Sequence, residues 1–254
     1  VHTLHGRVLP YAIGAKLANP GMTVVAVGGD GDGMAIGAGH FVNAGRGNLD
    51  LTYILHNNEV YGLTKGQASP TLPLGSQTKS LAEPTIQGGI NPLLLAFASG
   101  YTWIGRGYAF DIRGLVDLIQ RAIRHPGLAF LEVLQPCPTY NNLHTKAWFA
   151  GKDRGGIPRV APLDPSYDPI IEPGTDEATL QARMAAFIAE ATRPGEPIRT
   201  GVFWENRALP SLGERLAQRL PDYLTTPPAL KAVADPHGRP LTDLAPLMAE
   251  VAIA

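Results

Sequence analysis

A single cysteine, Cys137, among 254 residues leaves no intrachain disulfide framework and fits a reducing compartment. Neither sign of charge is in surplus: 21 Lys and Arg against 22 Asp and Glu give a formal net charge of −1, without the electrostatic footprint of a nucleic-acid-binding protein. A run of about 20 apolar residues is absent, so no membrane-spanning helix is expected. No charged-then-apolar leader precedes Val1, and the expected location is the cytoplasm. A repeat period is missing too, which argues against a solenoid. What the chain has is 29 Gly and 23 Pro, the mark of many tight connections, and enough length to bury one core with room for a small second unit.

Apolar runs and breakers alternate over the first 150 residues. Residues 8–19 read as a helix, with Pro10 tolerated near its start and Pro20 beyond its end. Residues 23–28 read as a buried strand, 34–47 as a helix of small residues, and 51–56 as a second strand. A long ordered loop runs to about residue 90. Helix, strand, helix and strand then follow at 91–100, 101–105, 111–125 and 127–134, with Asp111 as an amino-terminal cap and Pro126 as a stop. This order predicts an α/β fold with a mostly parallel sheet and helices on both faces. Residues 151–174, rich in Pro, Gly and Asp, read as an extended connector. Helical periodicity returns at 175–192, followed by a strand at 197–204 and a terminal helix at 241–254. We expect a cofactor-binding domain over 1–150, a connector over 151–174 and a packing or subunit-contact extension over 175–254.

The chemistry concentrates in Val24-Val25-Ala26-Val27-Gly28-Gly29-Asp30-Gly31-Asp32-Gly33 and in Asn57-Asn58-Glu59-Val60-Tyr61-Gly62. A β-branched strand stops at glycines that let backbone approach an anion, and Asp30 offers a hard oxygen at the strand's carboxyl end. One helix and a return strand bring Asn58 to the same edge, as a right-handed βαβ unit requires. The pattern reads as a magnesium-diphosphate site. A Walker loop needs Gly-Lys-Ser/Thr after its glycines, where this chain has Gly33-Met34-Ala35-Ile36. A dinucleotide fingerprint needs a glycine where Met34 stands and an acid ending the second strand, whereas Asp50 begins it. An EF-hand opening at Asp30 would place Met34 and Phe41 at ligand positions. The remaining alternative is a Gly-Asp surface turn with no ligand.

The step from Asp30 to Asn58 resembles the Gly-Asp-Gly to Asn signature of thiamine diphosphate enzymes. With His2-Thr3-Leu4-His5-Gly6-Arg7, Val60-Tyr61-Gly62-Leu63-Thr64-Lys65-Gly66-Gln67 and Gln135-Pro136-Cys137-Pro138-Thr139-Tyr140-Asn141 in order, the chain resembles the β subunit of 2-oxoacid:ferredoxin oxidoreductases, from Val1 to about Trp148 and more loosely over 197–216. The resemblance implies magnesium bound by Asp30, Asn58 and the Val60 carbonyl. It implies thiamine diphosphate against the Gly29, Gly31 and Gly33 backbone, with Asp32 orienting that turn and Leu63 touching a cofactor ring. Lys65 would meet the negative end of the 2-oxoacid, a solvated loop lysine being the alternative. His5 and Arg7 would face the cofactor or the acyl acceptor, a helix-entry packing role being the alternative.

The same resemblance implies a [4Fe-4S] cluster held by four cysteines, three of them upstream of His-Thr-Leu-His. Only Cys137 is present, so the expectation is a fragment lacking that amino-terminal part, with Cys137 as a cluster ligand in the complete protein. The implied reaction is oxidative decarboxylation of a 2-oxoacid such as pyruvate or 2-oxoglutarate. Coenzyme A would be the acyl acceptor, ferredoxin the electron acceptor, and an α subunit the supplier of the activating glutamate. A non-oxidative decarboxylase or acetolactate-synthase-like subunit, and a non-catalytic magnesium-diphosphate module, are the alternatives.

Overall fold

The computed structural model describes residues 1–243 and 245–251; position 244 and the last three positions of the expected terminal helix lie outside the described residues. In chain order the elements are α1 (Val8–Ala18), β1 (Val25–Gly29), α2 (Ala38–Gly47), β2 (Leu51–Asn57), α3 (Pro92–Ser99), β3 (Trp103–Tyr108), α4 (Ile112–Arg124) and β4 (Leu128–Leu134). There follow α5 (Lys146–Phe149), β5 (Val160–Pro162), β6 (Ile170–Ile171), α6 (Glu177–Ala191), β7 (Ile198–Asn206), α7 (Leu212–Arg219) and α8 (Ala245–Val251). Among the described residues no helix is long and apolar enough to cross a membrane.

One sheet organises the molecule, in the order β1-β2-β4-β3-β7-β5, with β6 also paired to β7. Only the β3 to β7 pairing is antiparallel, so the sheet is mostly parallel, as the alternating pattern predicts. β4 is buried along nearly its whole length, as a central parallel strand covered on both faces must be. The strand pleat sends Leu51, Tyr53 and Leu55 to one face, where they meet Leu9 of α1, Phe41 of α2, Leu93 of α3 and Phe187 of α6. Phe41 sits at the centre of that layer, stacked on Tyr101 at 4.6 Å and edge-on to Phe130 at 5.2 Å. Ile54 points the other way, into a second cluster with Trp103, Leu131 and Val202 that Leu118 and Ala122 of α4 cover. Val25 and Val27 of the edge strand β1 remain exposed beyond the reach of that helix.

Capping follows the local sequence. The Asn91 side chain accepts from Leu93 and Leu94 N–H at the start of α3, with Pro92 in the first turn, and Asp111 caps α4 through Gly114 N–H. Several local features depart from the expectations, among them the terminal helix, which begins at Ala245 and not at residue 241. Helical geometry after β1 begins before residue 34, because Asp32–Ile36 form one wide π-helical turn closed by Gly37 N–H on the Asp32 carbonyl at 2.8 Å. The strand expected at 101–105 lies at Trp103–Tyr108. Residues 151–174 also contribute two short strands, β5 and β6, both paired parallel to β7.

Candidate active site

The carboxyl ends of β1 and β2 lie side by side, with Gly29 opposite His56, so the loops leaving them share one edge. Ligands of open α/β sheets bind at this edge. Asp30 is the first residue past β1 and is 1% exposed. Its Oδ2 accepts from Glu59 N–H at 3.1 Å, from Thr71 Oγ1 at 2.5 Å and from the Ser69 hydroxyl. Burial pushes the Asp30 carboxyl above its ordinary range, against the opposing pull of those hydroxyl and amide donors. Among the described residues no positive neighbour balances an ionised carboxylate there, a charge that a cation would supply.

Past β2, Asn58 closes a tight turn in which its Oδ1 accepts from Val60 N–H at 3.2 Å. Its Nδ2 donates to Gln135 Oε1 at 3.3 Å. Val60 is buried and pairs antiparallel with Ala68, in a register that uses Tyr61 N–H on Gln67 and Ser69 N–H on Glu59. The Val60 carbonyl accepts no backbone hydrogen bond among the described residues. A buried carboxylate, an amide oxygen and a free carbonyl at one sheet edge make an all-oxygen donor set of the kind magnesium takes alongside phosphate oxygens. The described residues hold no cluster of three His, Cys, Asp or Glu side chains that competes as a metal site.

The glycines are required by close approach. A Cβ at Gly31 would stand 2.3 Å from the Tyr61 ring, and one at Gly33 2.3 Å from the Tyr53 hydroxyl. Asp32 faces backwards: it accepts from Gly6 N–H and lies 3.8 Å from His5 Nδ1, tying the amino-terminal segment to the turn. Helical geometry starts at Asp30, directly after β1, so a helix amino terminus lies at this edge, and such a terminus favours an anion.

The other expected residues are less buried than this anchor. Leu63 is 81% exposed, and Lys65, also exposed, takes the left-handed backbone at φ +75° ahead of Gly66. His5 and Arg7 are exposed as well. Cys137 follows β4 at the same edge, half-buried, in a segment held to the Asn58 turn by Asn141. Sequence reasoning missed Tyr53, Glu59, Ser69, Thr71, Asn141 and His144 as parts of the site. Ser69 and Thr71 lie just past Gly66-Gln67, and Asn141 ends the Gln135 to Asn141 motif, yet isolated hydroxyls and amides in loops carry no periodic signal.

Comparison with known proteins accords with the geometry. Residues 1–133 match the family model of the thiamine pyrophosphate enzyme, C-terminal TPP binding domain, and residues 137–219 match that of the carboxy-terminal part of the pyruvate ferredoxin oxidoreductase beta subunit. The chain is 50% identical over 252 residues to a 2-oxoacid:ferredoxin oxidoreductase subunit beta of Saccharolobus solfataricus, covering 98% of this chain and 79% of the relative. It is 38% identical over 171 residues to a 2-oxoglutarate synthase subunit of Archaeoglobus fulgidus, covering 65% of this chain and 64% of the relative. A solved 2-oxoglutarate:ferredoxin oxidoreductase from Magnetococcus marinus, with 2-oxoglutarate, coenzyme A and succinyl-CoA bound, superposes with a TM-score of 0.74 at 30% identity, covering 99% of this chain and 75% of that one. The α/β fold, the candidate cofactor edge and these likenesses converge: the chain belongs to the β subunits of the thiamine diphosphate-dependent 2-oxoacid:ferredoxin oxidoreductases, which are active with a partner subunit.

Proposed function

We propose that this subunit anchors thiamine diphosphate through magnesium held by Asp30, the Asn58 side-chain oxygen and the Val60 carbonyl. Asp30 carries this reading, since its Oδ2 is engaged by Glu59, Ser69 and Thr71. Its Oδ1 is thus the natural cation ligand. When bound, thiamine diphosphate supplies the nucleophile and electron sink for 2-oxoacid decarboxylation. The Gly29 and Gly31 to Gly33 backbone binds the diphosphate, Asp32 fixes that turn against Gly6, and Leu63 packs against a cofactor ring. Lys65 binds the negative end of the 2-oxoacid, with 2-oxoglutarate or pyruvate as the substrate class. His5 and Arg7 face the acyl acceptor, coenzyme A. In the complete protein Cys137 would be one ligand of a [4Fe-4S] cluster, which would supply the route for electrons towards ferredoxin in the cytoplasm. The exposed Leu63 and Lys65 suit a site completed by the partner subunit, which supplies the activating glutamate.

The full-length β subunit reconstituted with its partner tests this reading. Thiamine diphosphate binding should require magnesium, and 2-oxoacid-dependent ferredoxin reduction should require coenzyme A. Cofactor affinity unchanged by chelation overturns the metal site. Cys137→Ser should lower iron content or alter the cluster's paramagnetic resonance spectrum while the cofactor still binds. An unaltered spectrum removes Cys137 from the ligand set.

A further inference from the structure

Glu59 adds a side-chain link between two loops that already leave neighbouring strands, β2 and β4, and that touch through Asn58 and Gln135. Its backbone belongs to the metal loop: the N–H donates to Asp30 Oδ2 at 3.1 Å and the carbonyl accepts from Ser69 N–H at 3.2 Å. Its side chain belongs to the segment after β4. Oε2 accepts from Asn141 Nδ2 at 2.9 Å and meets His144 Nδ1 at 2.5 Å. The residue takes the left-handed backbone at φ +65°, a conformation unusual for a non-glycine residue and sustained here by partners on both sides.

Asn141 completes the connection. It is 2% exposed, and its Nδ2 also donates to the Asn58 carbonyl at 3.1 Å. Its Oδ1 accepts from Leu143 and His144 N–H at 3.0 and 3.1 Å, so the same amide shapes the turn that follows Cys137. Further support comes from behind, where the His144 ring packs on Trp148 at 4.4 Å and Trp148 in turn carries the Arg159 guanidinium at 4.7 Å. The contacts of Glu59 and Asn141 thus span the metal loop and the Cys137 segment.

We propose that Glu59 and Asn141 are a positioning pair through which loading of the metal-diphosphate loop orders the segment carrying Cys137. Asn58 and Val60 flank Glu59, so a cation that fixes their oxygens also fixes the Glu59 backbone, and the Glu59 carboxylate transmits that constraint to Asn141 and His144. The proposal rests on the metal and cluster assignments proposed for Asp30, Asn58, Val60 and Cys137.

Hydrogen exchange read by mass spectrometry tests it in the reconstituted full-length enzyme, with and without magnesium and thiamine diphosphate. In the wild type, loading should slow exchange in peptides covering 57–62 and also in those covering 139–146. In Asn141→Ala, at saturating cofactor, protection of 57–62 should persist and the gain over 139–146 should disappear. Glu59→Gln preserves shape, carries the test if Asn141→Ala does not assemble, and should lose most of the same gain. Cofactor affinity should fall about tenfold in either variant, as for other residues that support a metal ligand. Protection confined to 57–62 in the wild type, or undiminished over 139–146 in both variants, overturns the link and leaves the metal site standing. No protection at 57–62 overturns the metal site and the link together.

Discussion

Asp30 and Lys65 stand in one loop system in opposite surroundings. The carboxylate is almost fully buried and collects donors from residues 59, 69 and 71, far away in sequence. The ammonium is exposed on a short left-handed turn, next to Gly66. Leu63, His5 and Arg7 share its exposure. The anchoring half of the candidate site is therefore a product of this chain's own folding, while the half assigned to substrate and acyl acceptor is presented outward. Exposed groups are poor stabilisers of a charge in the absence of a wall that excludes water. On the proposed assignment, such a subunit would supply the diphosphate anchor and its partner would enclose the reacting end.

The largest expected effect breaks the anchoring half alone. Asp30→Ala should weaken thiamine diphosphate binding in the assembled enzyme by several kcal/mol, because the proposed cation site would lose its carboxylate. Since burial disfavours the Asp30 charge, Asp30→Asn should lose the cofactor equally while leaving the cofactor-free chain at least as stable in thermal melts. Wild-type affinity by calorimetry in either variant sinks the assignment.

Next in size is the presenting half. Lys65→Ala should cost about 1.5–3 kcal/mol in kcat/KM for the 2-oxoacid, the range of a hydrogen bond to a charged group. Cofactor affinity should be unchanged. Loss of cofactor with normal dependence on substrate would move Lys65 into the anchor and erase the contrast.

That contrast also explains what the sequence made legible. Asp30 and Asn58 were readable together because a βαβ unit fixes which strand ends are neighbours, and β1 and β2 do pair in parallel. The α/β class followed from the same alternation. The supports of the anchor were not readable, because Ser69 and Thr71 return to Asp30 only through the Val60 to Ala68 bridge, which no spacing announces. Similarly, a strand at 197–204 was evident, but its antiparallel place beside β3 depends on packing across the sheet. β5, three residues ending in Pro162 at the sheet's edge, is too short and too proline-marked to stand out from a connector.

The smallest effect separates support from ligation within the anchor. Thr71 Oγ1 reaches both Asp30 Oδ2 and Asn57 Oδ1, at 2.5 and 2.8 Å, and Asn57 Nδ2 passes the contact on to buried Glu132 at 2.7 Å. Thr71→Val keeps the shape and removes one hydroxyl, so the fold should lose about 1–2 kcal/mol, the usual worth of one buried hydrogen bond to a charged group. Asp30 retains Ser69 and the Glu59 amide, and the cation still finds its carboxylate. Cofactor affinity should therefore fall only a few-fold, far less than in Asp30→Ala, with KM for the 2-oxoacid unchanged at saturating cofactor. Thermal melts and calorimetry on the same preparation read both effects. A raised KM for the 2-oxoacid would show that the buried loop also shapes the substrate's end, and that the two halves are one unit.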